Sequence, residues 1–320
     1  MTSTVVGKSG RVYIQGEVLQ RREDPKLSIF KAESGNEPFV FKRVRSRPLY
    51  DLFLHLAAEF AGSRRLRMHI DRSQDEGILV YPYFTGTLLG LIQEDPHLRS
   101  AEKKKILQCV GEAIQELHAK DWVHIDIKPD NIFLNWTCDR EGNKTITDVA
   151  LGDFDIAFKI KDGKPLYGPH AIGNAMWRSP EGQTGRGVTK ASDIYSFGLV
   201  CIYTFGGGEL LLLNNYKELV KLGVTAEQEI LLRHFMYFGP APEGLLKQVD
   251  DEGWRNALKE ISEIADKIVE EEPEKRFERW GEALGPMGQN MISGMINLDP
   301  AARATIDQVL AHPCWQEVWD

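Results

Sequence analysis

The sequence predicts an α+β fold with two lobes, a small β-rich lobe followed by a larger and mainly helical one. Three observations support this: short apolar runs alternate with turns in the first part of the chain, helical periodicity follows, and 320 residues with 42% hydrophobic content suit one large domain. We expect an N-terminal tail at 1–11 and a domain at 12–320. Within that domain we place the small lobe at 12–82, a hinge at 82–86 and the large lobe at 87–320.

The small lobe is predicted from its apolar patterning. Alternating apolar runs between Val12 and Val44, separated by turn-rich segments, predict an antiparallel sheet. Pro48 and the apolar side chains after it have helical spacing, so we expect one helix that ends before Gly62. The segment from Gly77 to Phe84 has the composition of a further strand.

The large lobe is predicted from helical periodicity after the last of these strands. Strands that come first and helices that come later are typical of an α+β domain. Five segments have the period and composition of helices: Leu88 to Gln93, Ala101 to Lys120, Lys190 to Thr204, Ala226 to Phe238 and Trp254 to Glu271.

Composition and charge narrow the classes of partner and compartment. A net charge of -8 argues against a nucleic-acid-binding protein, because such surfaces are usually basic. The chain has no apolar segment long enough to span a membrane and no secretory leader, so we expect no membrane as a partner. Together with the charge, this means that we expect neither nucleic acid nor membrane. A reducing compartment, cytoplasmic or nuclear, is expected because the cysteines are few and scattered: Cys109, Cys138, Cys201 and Cys314.

The segment His124-Ile-Asp-Ile-Lys-Pro-Asp-Asn131 carries the clearest chemical signal. Asp126 supplies a carboxylate that can accept the proton of a hydroxyl, and Lys128 supplies an amine that can stabilise charge on a phosphoryl group. Asn131 offers an amide oxygen, a hard ligand suited to Mg²⁺, and Asp153 offers a second hard ligand further along the chain. The ordered set predicts metal-assisted phosphoryl transfer.

These motifs resemble those of the eukaryotic protein kinase family. HIDIKPDN stands where the family has H-R-D-x-K-x-x-N, and Asp-Phe-Asp at 153–155 stands where it has D-F-G. The resemblance implies a bilobal protein kinase fold of the serine/threonine class that uses ATP and Mg²⁺. By it, Asp126 is the catalytic base, Lys128 contacts the γ-phosphate, and Asn131 and Asp153 are the Mg²⁺ ligands.

Later segments extend the resemblance over nearly the whole chain. Gly173 to Glu181 resembles the end of an activation segment, and the motif around Asp193 resembles the buried helix that anchors the family's catalytic loop. The segment Leu298 to Thr305 resembles D-P-x-x-R-x-T, which implies that Arg303 pairs with Glu181. Trp177 to Glu181 also resembles, weakly, the Y-R-x-P-E of cyclin-dependent and mitogen-activated kinases.

The same resemblance implies where the nucleotide lies. Val40-Phe41-Lys42 looks like the third-strand motif whose lysine holds the α- and β-phosphates, and 81–84 looks like the hinge. The implied base-binding residues are Ile29 and Val40 above the adenine, Phe133 below it, Tyr81 as gatekeeper and Tyr83 in the hinge.

The family's glycine-rich loop is missing from this sequence. No glycine occurs between Leu19 and Ile29, so backbone amides approach phosphate less easily there. Either the side chains of Arg21, Arg22 or Lys26 contact phosphate instead, or these three are solvated residues on a turn.

Two further positions depart from the family pattern near the catalytic motifs. The acid that pairs with Lys42 is either Glu59 or Asp51, since both share one face of the predicted helix. Asp155 replaces the last glycine of D-F-G, which adds a charge beside the metal ligand.

The activation segment lacks the usual sites of phosphorylation. It contains no threonine, its one serine is Ser179, which we expect to be buried, and Tyr167 is its one plausible acceptor. We therefore expect activity that does not depend on serine or threonine phosphorylation of this loop.

The predicted function is transfer of the γ-phosphoryl group of ATP to serine or threonine of a protein substrate. Two apparent insertions, Cys138 to Thr147 and Leu211 to Met287, are either docking surfaces for a partner or extensions of the scaffold. The first of them has the composition of a hairpin turn. The alternatives are a pseudokinase scaffold with weak or no nucleotide binding and, third, a small-molecule kinase.

Overall fold

The small lobe contains one antiparallel sheet. The protein is represented by a computed structural model that describes residues 4–73, 77–206, 221, 223 and 225–316. The sheet has the strand order β1-β2-β3-β4-β6-β5. Its strands are β1 (Thr4–Val6), β2 (Val12–Gln20), β3 (Ile29–Ser34), β4 (Glu37–Arg43), β5 (Asp71–Ser73) and β6 (Ile78–Pro82). The predicted antiparallel sheet is therefore confirmed.

Part of the predicted N-terminal tail belongs to this sheet. Thr4–Val6 pairs antiparallel with β2, and Val5 is fully buried against the same cluster as Tyr13 and Phe41. The prediction that the domain starts at residue 12 was wrong, because a strand of three residues is too short for periodicity to reveal. Pairing with β2 and burial of Val5 stabilise it instead.

One helix, α1 (Arg47–Glu59), packs against the sheet. It begins after Ser46, whose hydroxyl accepts a hydrogen bond from the N–H of Leu49, and proline in the first turn suits a helix start. Phe53 and Leu56 are buried in the main core cluster. That cluster also contains large-lobe side chains, so α1 shares an apolar core with the large lobe.

The large lobe is mainly helical, as predicted. The five predicted helices differ from the observed ones by at most two residues at either end. The helices are α2 (Leu88–Glu94), α3 (Ser100–Ala119), α4 (Pro180–Thr184), α5 (Lys190–Phe205), α6 (Ala226–Phe238), α7 (Glu243–Val249), α8 (Glu252–Glu271), α9 (Gly281–Leu284), α10 (Pro286–Met295) and α11 (Ile306–Leu310). Within the described part of the chain, no helix is long and apolar enough to cross a membrane.

Short strands in the large lobe position the chemically active segments. They are β7 (Gly86–Thr87), β8 (Trp122–Val123), β9 (Ile132–Cys138), β10 (Lys144–Leu151), β11 (Phe158–Lys159), β12 (Leu166–Tyr167) and β13 (Arg186–Val188). The segment His124 to Asn131, the catalytic loop, lies between β8 and β9, and Asp153 is the second residue after β10. β9 and β10 form the predicted hairpin. Of the second predicted insertion, residues 211–220 lie outside the described residues.

Candidate active site

The backbone of the catalytic loop is anchored by a buried carboxylate from α5. Asp193 is fully buried and accepts hydrogen bonds of 2.8 Å from the N–H groups of both His124 and Ile125. Its Oδ2 also lies 3.0 Å from Nε2 of His118 on α3. The anchoring that the sequence motif implied is confirmed, and it links two large-lobe helices to the loop.

This anchor holds a strained backbone conformation. Ile125 has a φ of +66°, in the left-handed region that a β-branched residue rarely adopts. Such strain persists where surrounding contacts over-determine the conformation, and it is common at active sites. The bond from the N–H of Ile125 to Asp193 is one such contact, and it fixes the backbone immediately before Asp126.

Asp126 lies at the centre of a hydrogen-bond network. Its Oδ2 accepts from Nζ of Lys128 at 2.6 Å and from Nδ2 of Asn131 at 3.0 Å. Its Oδ1 accepts from the backbone N–H of Asn174 at 3.1 Å. Donors on both oxygens fix the orientation of the carboxylate, as a proton acceptor in catalysis requires.

The predicted Mg²⁺ ligands offer a donor set that suits this ion. Asn131 uses its amide nitrogen for the carboxylate and backbone oxygen of Asp126, which leaves its amide oxygen as the ligand atom. Asp153 supplies a carboxylate from the end of β10. Mg²⁺ is usually held by one or two protein oxygens together with phosphates and water, so these two residues fit it.

Lys42 on β4 reaches across the cleft to two carboxylates. Its Nζ lies 2.7 Å from Oδ1 of Asp153 and also contacts Oδ1 of Asp155. Burial disfavours the ionised form of Asp153, yet the Lys42 ammonium outweighs this effect and holds the pKa of Asp153 at about 2. Burial raises the pKa of Asp155, and the negative charge of Asp153 acts in the same direction.

The predicted partners of Lys42 were both wrong. Oδ2 of Asp51 lies 3.0 Å from Nε of Arg47 on the solvent side of α1. Glu59, at the end of α1, accepts 2.8 Å bonds from Nζ of Lys159 and Nε1 of Trp122 in the large lobe.

A phenylalanine of α1 faces Lys42 instead. The ring centroid of Phe53 is 5.1 Å from the Lys42 ammonium. Helical spacing identified the residues that share a face of α1, but the rotation of the helix against the sheet determines which of them reaches Lys42.

The predicted nucleotide-binding residues line one cleft between the lobes. This cleft encloses about 520 Å³. Its lining includes the following predicted residues: Ile29, Val40, Lys42, Tyr81, Tyr83, Lys128, Asn131, Phe133 and Asp153. Asp126 joins them through its bonds to Lys128 and Asn131. The structure therefore brings the whole predicted site together.

Arg67 is the charged residue of this cleft whose contacts sequence reasoning missed most clearly. Its Nε and Nη2 donate hydrogen bonds of 3.1 and 2.7 Å to the carbonyl oxygen of Pro82 in the predicted hinge. Its guanidinium carbon lies 4.2 Å from the ring centroid of Phe133 and 5.2 Å from that of Tyr81. Burial lowers the pKa of Arg67 to about 10, so the side chain stays cationic at neutral pH. In the sequence, the only signal is an arginine between Leu66 and Met68, which belongs to no motif.

The connection between β2 and β3, the roof of the cleft, is a polar turn. The side chain of Asp24 accepts a 2.9 Å bond from the N–H of Lys26, which begins a short 3₁₀ turn at Pro25–Leu27. Of the three basic residues proposed as phosphate contacts, Arg22 lines the cleft, whereas the cleft lining does not include Arg21 or Lys26. Arg22 is therefore the specific candidate for the alternative in which a basic side chain contacts phosphate.

The activation segment is packed as its motifs imply. Ser179 is 1% exposed, as expected, and Tyr167, the plausible phosphate acceptor, is 46% exposed. Glu181 and Arg303 form a fully buried ion pair, with Nη2 of Arg303 2.8 Å from Oε2 of Glu181. Asn174 bonds Asp126 through its backbone, while its side chain accepts from the N–H of Met176.

Comparisons with known proteins agree on one class. A family model described as a protein kinase domain matches residues 65–315. The chain is 25% identical over 242 residues to a probable serine/threonine-protein kinase, pXi, of Dictyostelium discoideum, covering 75% of this chain and 26% of that one. It is 24% identical over 308 residues to a probable serine/threonine-protein kinase of Clostridium acetobutylicum, covering 94% of this chain and 41% of that one. The chain thus spans well under half the length of these relatives.

A solved structure has the same fold. It is the yeast RNA Pol II CTD kinase CTDK-1 complex, with a TM-score of 0.70 at 14% identity, covering 100% of this chain and 96% of that chain. The bilobal kinase fold predicted from the sequence is therefore confirmed.

Proposed function

The chain belongs to the protein kinase family, and from this premise we propose that it transfers the γ-phosphoryl group of Mg-ATP to serine or threonine of a protein substrate. The observation that carries the proposal is the network around Asp126. Its two carboxylate oxygens are held by Lys128, Asn131 and the backbone of Asn174, at the base of a cleft that also contains Lys42 and Asp153.

Each residue has a defined task in this proposal. Asp126 orients the substrate hydroxyl and accepts its proton, while Lys128 stabilises charge on the phosphoryl group in transit. Lys42 contacts the α- and β-phosphates. Asn131 and Asp153 would hold Mg²⁺, which when bound neutralises charge on the phosphate oxygens. The apolar side chains of Ile29, Val40 and Phe133, which line the cleft, would exclude water around the base.

Two measurements on wild type and two variants test this function. We expect Mg-ATP to raise the melting temperature of wild-type protein and to label a general protein substrate with radioactive phosphate. Asp126→Asn keeps the shape of the side chain but loses the base, so transfer should fall by about 10²-fold or more while nucleotide still binds. Asp153→Asn should lose both transfer and the Mg²⁺-dependent part of the stabilisation.

The results also decide between competing functions. A wild-type protein that shows neither stabilisation by Mg-ATP nor transfer is not an active kinase. Transfer to a small metabolite but to no protein would identify a small-molecule kinase.

A pseudokinase scaffold is the second candidate, and the position of Arg67 favours it. The carbonyl of Pro82 lies in the hinge, where a kinase binds the edge of the adenine, and here it already accepts two bonds from a cationic side chain. A base that bonds this carbonyl must displace or share those donors. The roof without glycine also offers fewer backbone amides to phosphate. Under this alternative, Mg-ATP leaves the melting temperature unchanged.

The remaining parts of the proposal concern partners and regulation. We propose a protein substrate, a docking surface in the large-lobe region that includes α6 to α9, and a cytoplasmic or nuclear location. The four free cysteines of the chain support a reducing compartment. We also propose activity without serine or threonine phosphorylation of the activation segment, which mass spectrometry of active protein tests; an essential phosphate on that segment would contradict it.

A further inference from the structure

Among the contacts described for Lys42, both ion pairs come from the segment that follows β10. Its ammonium contacts the carboxylates of Asp153 and Asp155, two residues apart on one short segment. The side chain of Lys42 is 16% exposed and that of Asp155 is 38% exposed, so the pair is shielded from solvent more than a surface ion pair.

The two carboxylates have different further tasks. Asp153 is the proposed Mg²⁺ ligand, and a carboxylate oxygen bound to the metal is a weaker partner for an ammonium. Asp155 has no such task in the proposed mechanism. Asp155 therefore remains a partner for Lys42 when Asp153 binds Mg²⁺.

The acidic residues of α1 are committed elsewhere. Asp51 forms an ion pair with Arg47 within its own helix, and Glu59 bonds Trp122 and Lys159 of the large lobe. The α1 side chain that faces Lys42 is the ring of Phe53. In the proposed chemistry a kinase lysine needs a carboxylate partner that points it at the phosphates, and here α1 does not supply that partner.

We propose that Asp155 is the positioning residue for Lys42, in the place where other kinases use a glutamate of the small-lobe helix. This inference rests on the proposed function. Asp155 and the metal ligand Asp153 lie on the same short segment, so the lysine and the metal are aligned by one piece of backbone. Movement of α1, which aligns the lysine elsewhere in the family, then has little effect on this site.

Steady-state kinetics on matched variants test this role. Asp155→Asn removes the charge but keeps the size, and kcat/KM for Mg-ATP should fall by roughly tenfold or more, the loss expected for a charge-assisted hydrogen bond. Asp51→Asn and Glu59→Gln are the controls, and each should stay within about twofold of wild type. An Asp155→Asn protein with unchanged kcat/KM, or a tenfold loss in Glu59→Gln, would overturn the proposal.

Relocating the charge separates positioning from a merely structural role. Phe53→Glu combined with Asp155→Gly moves the carboxylate to the helix side of Lys42 and restores a glycine after Phe154. We expect this double variant to recover at least about half of the activity that Asp155→Gly loses. The matched control, Phe53→Gln with Asp155→Gly, should recover nothing. Equal activity in the two double variants would show that no charge is needed there.

A third measurement does not depend on catalysis. Reductive ¹³C-methylation labels Lys42 for NMR, with the signal assigned from its loss in Lys42→Arg. Asp155→Asn should shift the Lys42 signal, whereas Asp51→Asn and Glu59→Gln should leave it in place. If wild type transfers no phosphate, the proposed function fails, but a shift in Asp155→Asn still supports the pairing. No shift in Asp155→Asn refutes the pairing even in an active enzyme.

Discussion

The catalytic loop is held by buried contacts, whereas the roof of the cleft is held by contacts near the surface. The loop from His124 to Asn131 is held by Asp193, a fully buried carboxylate that lies 68 and 69 residues further along the chain than its two backbone donors. The roof between β2 and β3 is held by Asp24, which accepts a bond from Lys26 and contacts Arg45, both on the exposed side.

This difference has an energetic basis. A buried charge that loses a partner remains unpaired in a poor solvent, so the interior contacts of the loop are costly to break. The exposed contacts of the roof exchange with water at little cost. Residues proposed to perform the chemical step are therefore held rigidly, whereas the segment proposed to cover the phosphates tolerates an unusual sequence without glycine.

The largest expected effect comes from the loop anchor. Asp193→Asn replaces one of the two acceptor oxygens with an NH2 group, so one of the N–H groups of His124 and Ile125 loses its acceptor and the other loses a charged one. We expect transfer to fall by about 10²-fold and the free energy of unfolding by roughly 3 kcal/mol, because buried donors lose a charged acceptor. Urea denaturation and initial rates measure the two losses. Retention of full activity would show that the strained loop needs no buried anchor.

The second-largest effect is expected at the buried ion pair between Glu181 and Arg303, which holds the activation segment to the large lobe. Arg303→Met leaves Glu181 as an unpaired buried charge, and the free energy of unfolding should fall by about 3–5 kcal/mol. Lys275→Met, which breaks the exposed ion pair with Glu272, is the matched control and should cost less than about 1 kcal/mol. Similar losses in the two variants would contradict the contrast between interior and surface contacts.

The same pair predicts how stability depends on pH. Burial opposes ionisation of Glu181, but Arg303 and Ser192 outweigh it and hold the pKa of Glu181 below its usual value of 4.5. Because the folded-state pKa is the lower one, this stabilisation is fully present above about pH 4.5 and is lost as the pH falls through the folded-state pKa. Urea denaturation between pH 6 and pH 3 should show a steeper loss in wild type than in Glu181→Gln.

A smaller effect is expected in the roof, at Arg22. Arg22→Gln removes a cation that lines the cleft, and the dissociation constant for Mg-ATP should rise by about three- to tenfold. Arg21→Gln changes the same charge at a position outside the lining and should have no measurable effect. Calorimetric titration measures both, and equal weakening in the two variants would indicate only general attraction of phosphate by positive charge.

The smallest effect is expected at the turn that shapes the roof. Asp24→Ala removes the bond to the N–H of Lys26 and the contact with Arg45, both near the surface. The free energy of unfolding should change by less than about 1 kcal/mol, and transfer should change by less than about twofold. Thermal unfolding and initial rates check this. A loss as large as that in Asp193→Asn would mean that the roof is as tightly built as the loop.

Local sequence patterns predicted the helices, and the resemblance to the kinase family implied many of the residues that line the cleft. Helical periodicity located five helices to within two residues at either end, because the period of 3.6 is visible over ten or more residues. Short elements were not predicted, because the three residues of β1 carry too little pattern to distinguish a strand from a tail. The residues of the catalytic loop were found because carboxylate, amine and amide stand in one short ordered run.

By itself the sequence determined the two-lobed architecture and the chemical groups available in the cleft. Only the tertiary structure decided which acid meets Lys42, that Arg67 bonds the hinge carbonyl, and that Arg22 rather than its neighbours lines the roof. The physical reason is distance along the chain: Lys42 and Asp155 lie 113 residues apart, and their contact depends on how β4 and the segment after β10 pack. Periodicity records which face a residue occupies, but the packing of remote elements determines what that face meets.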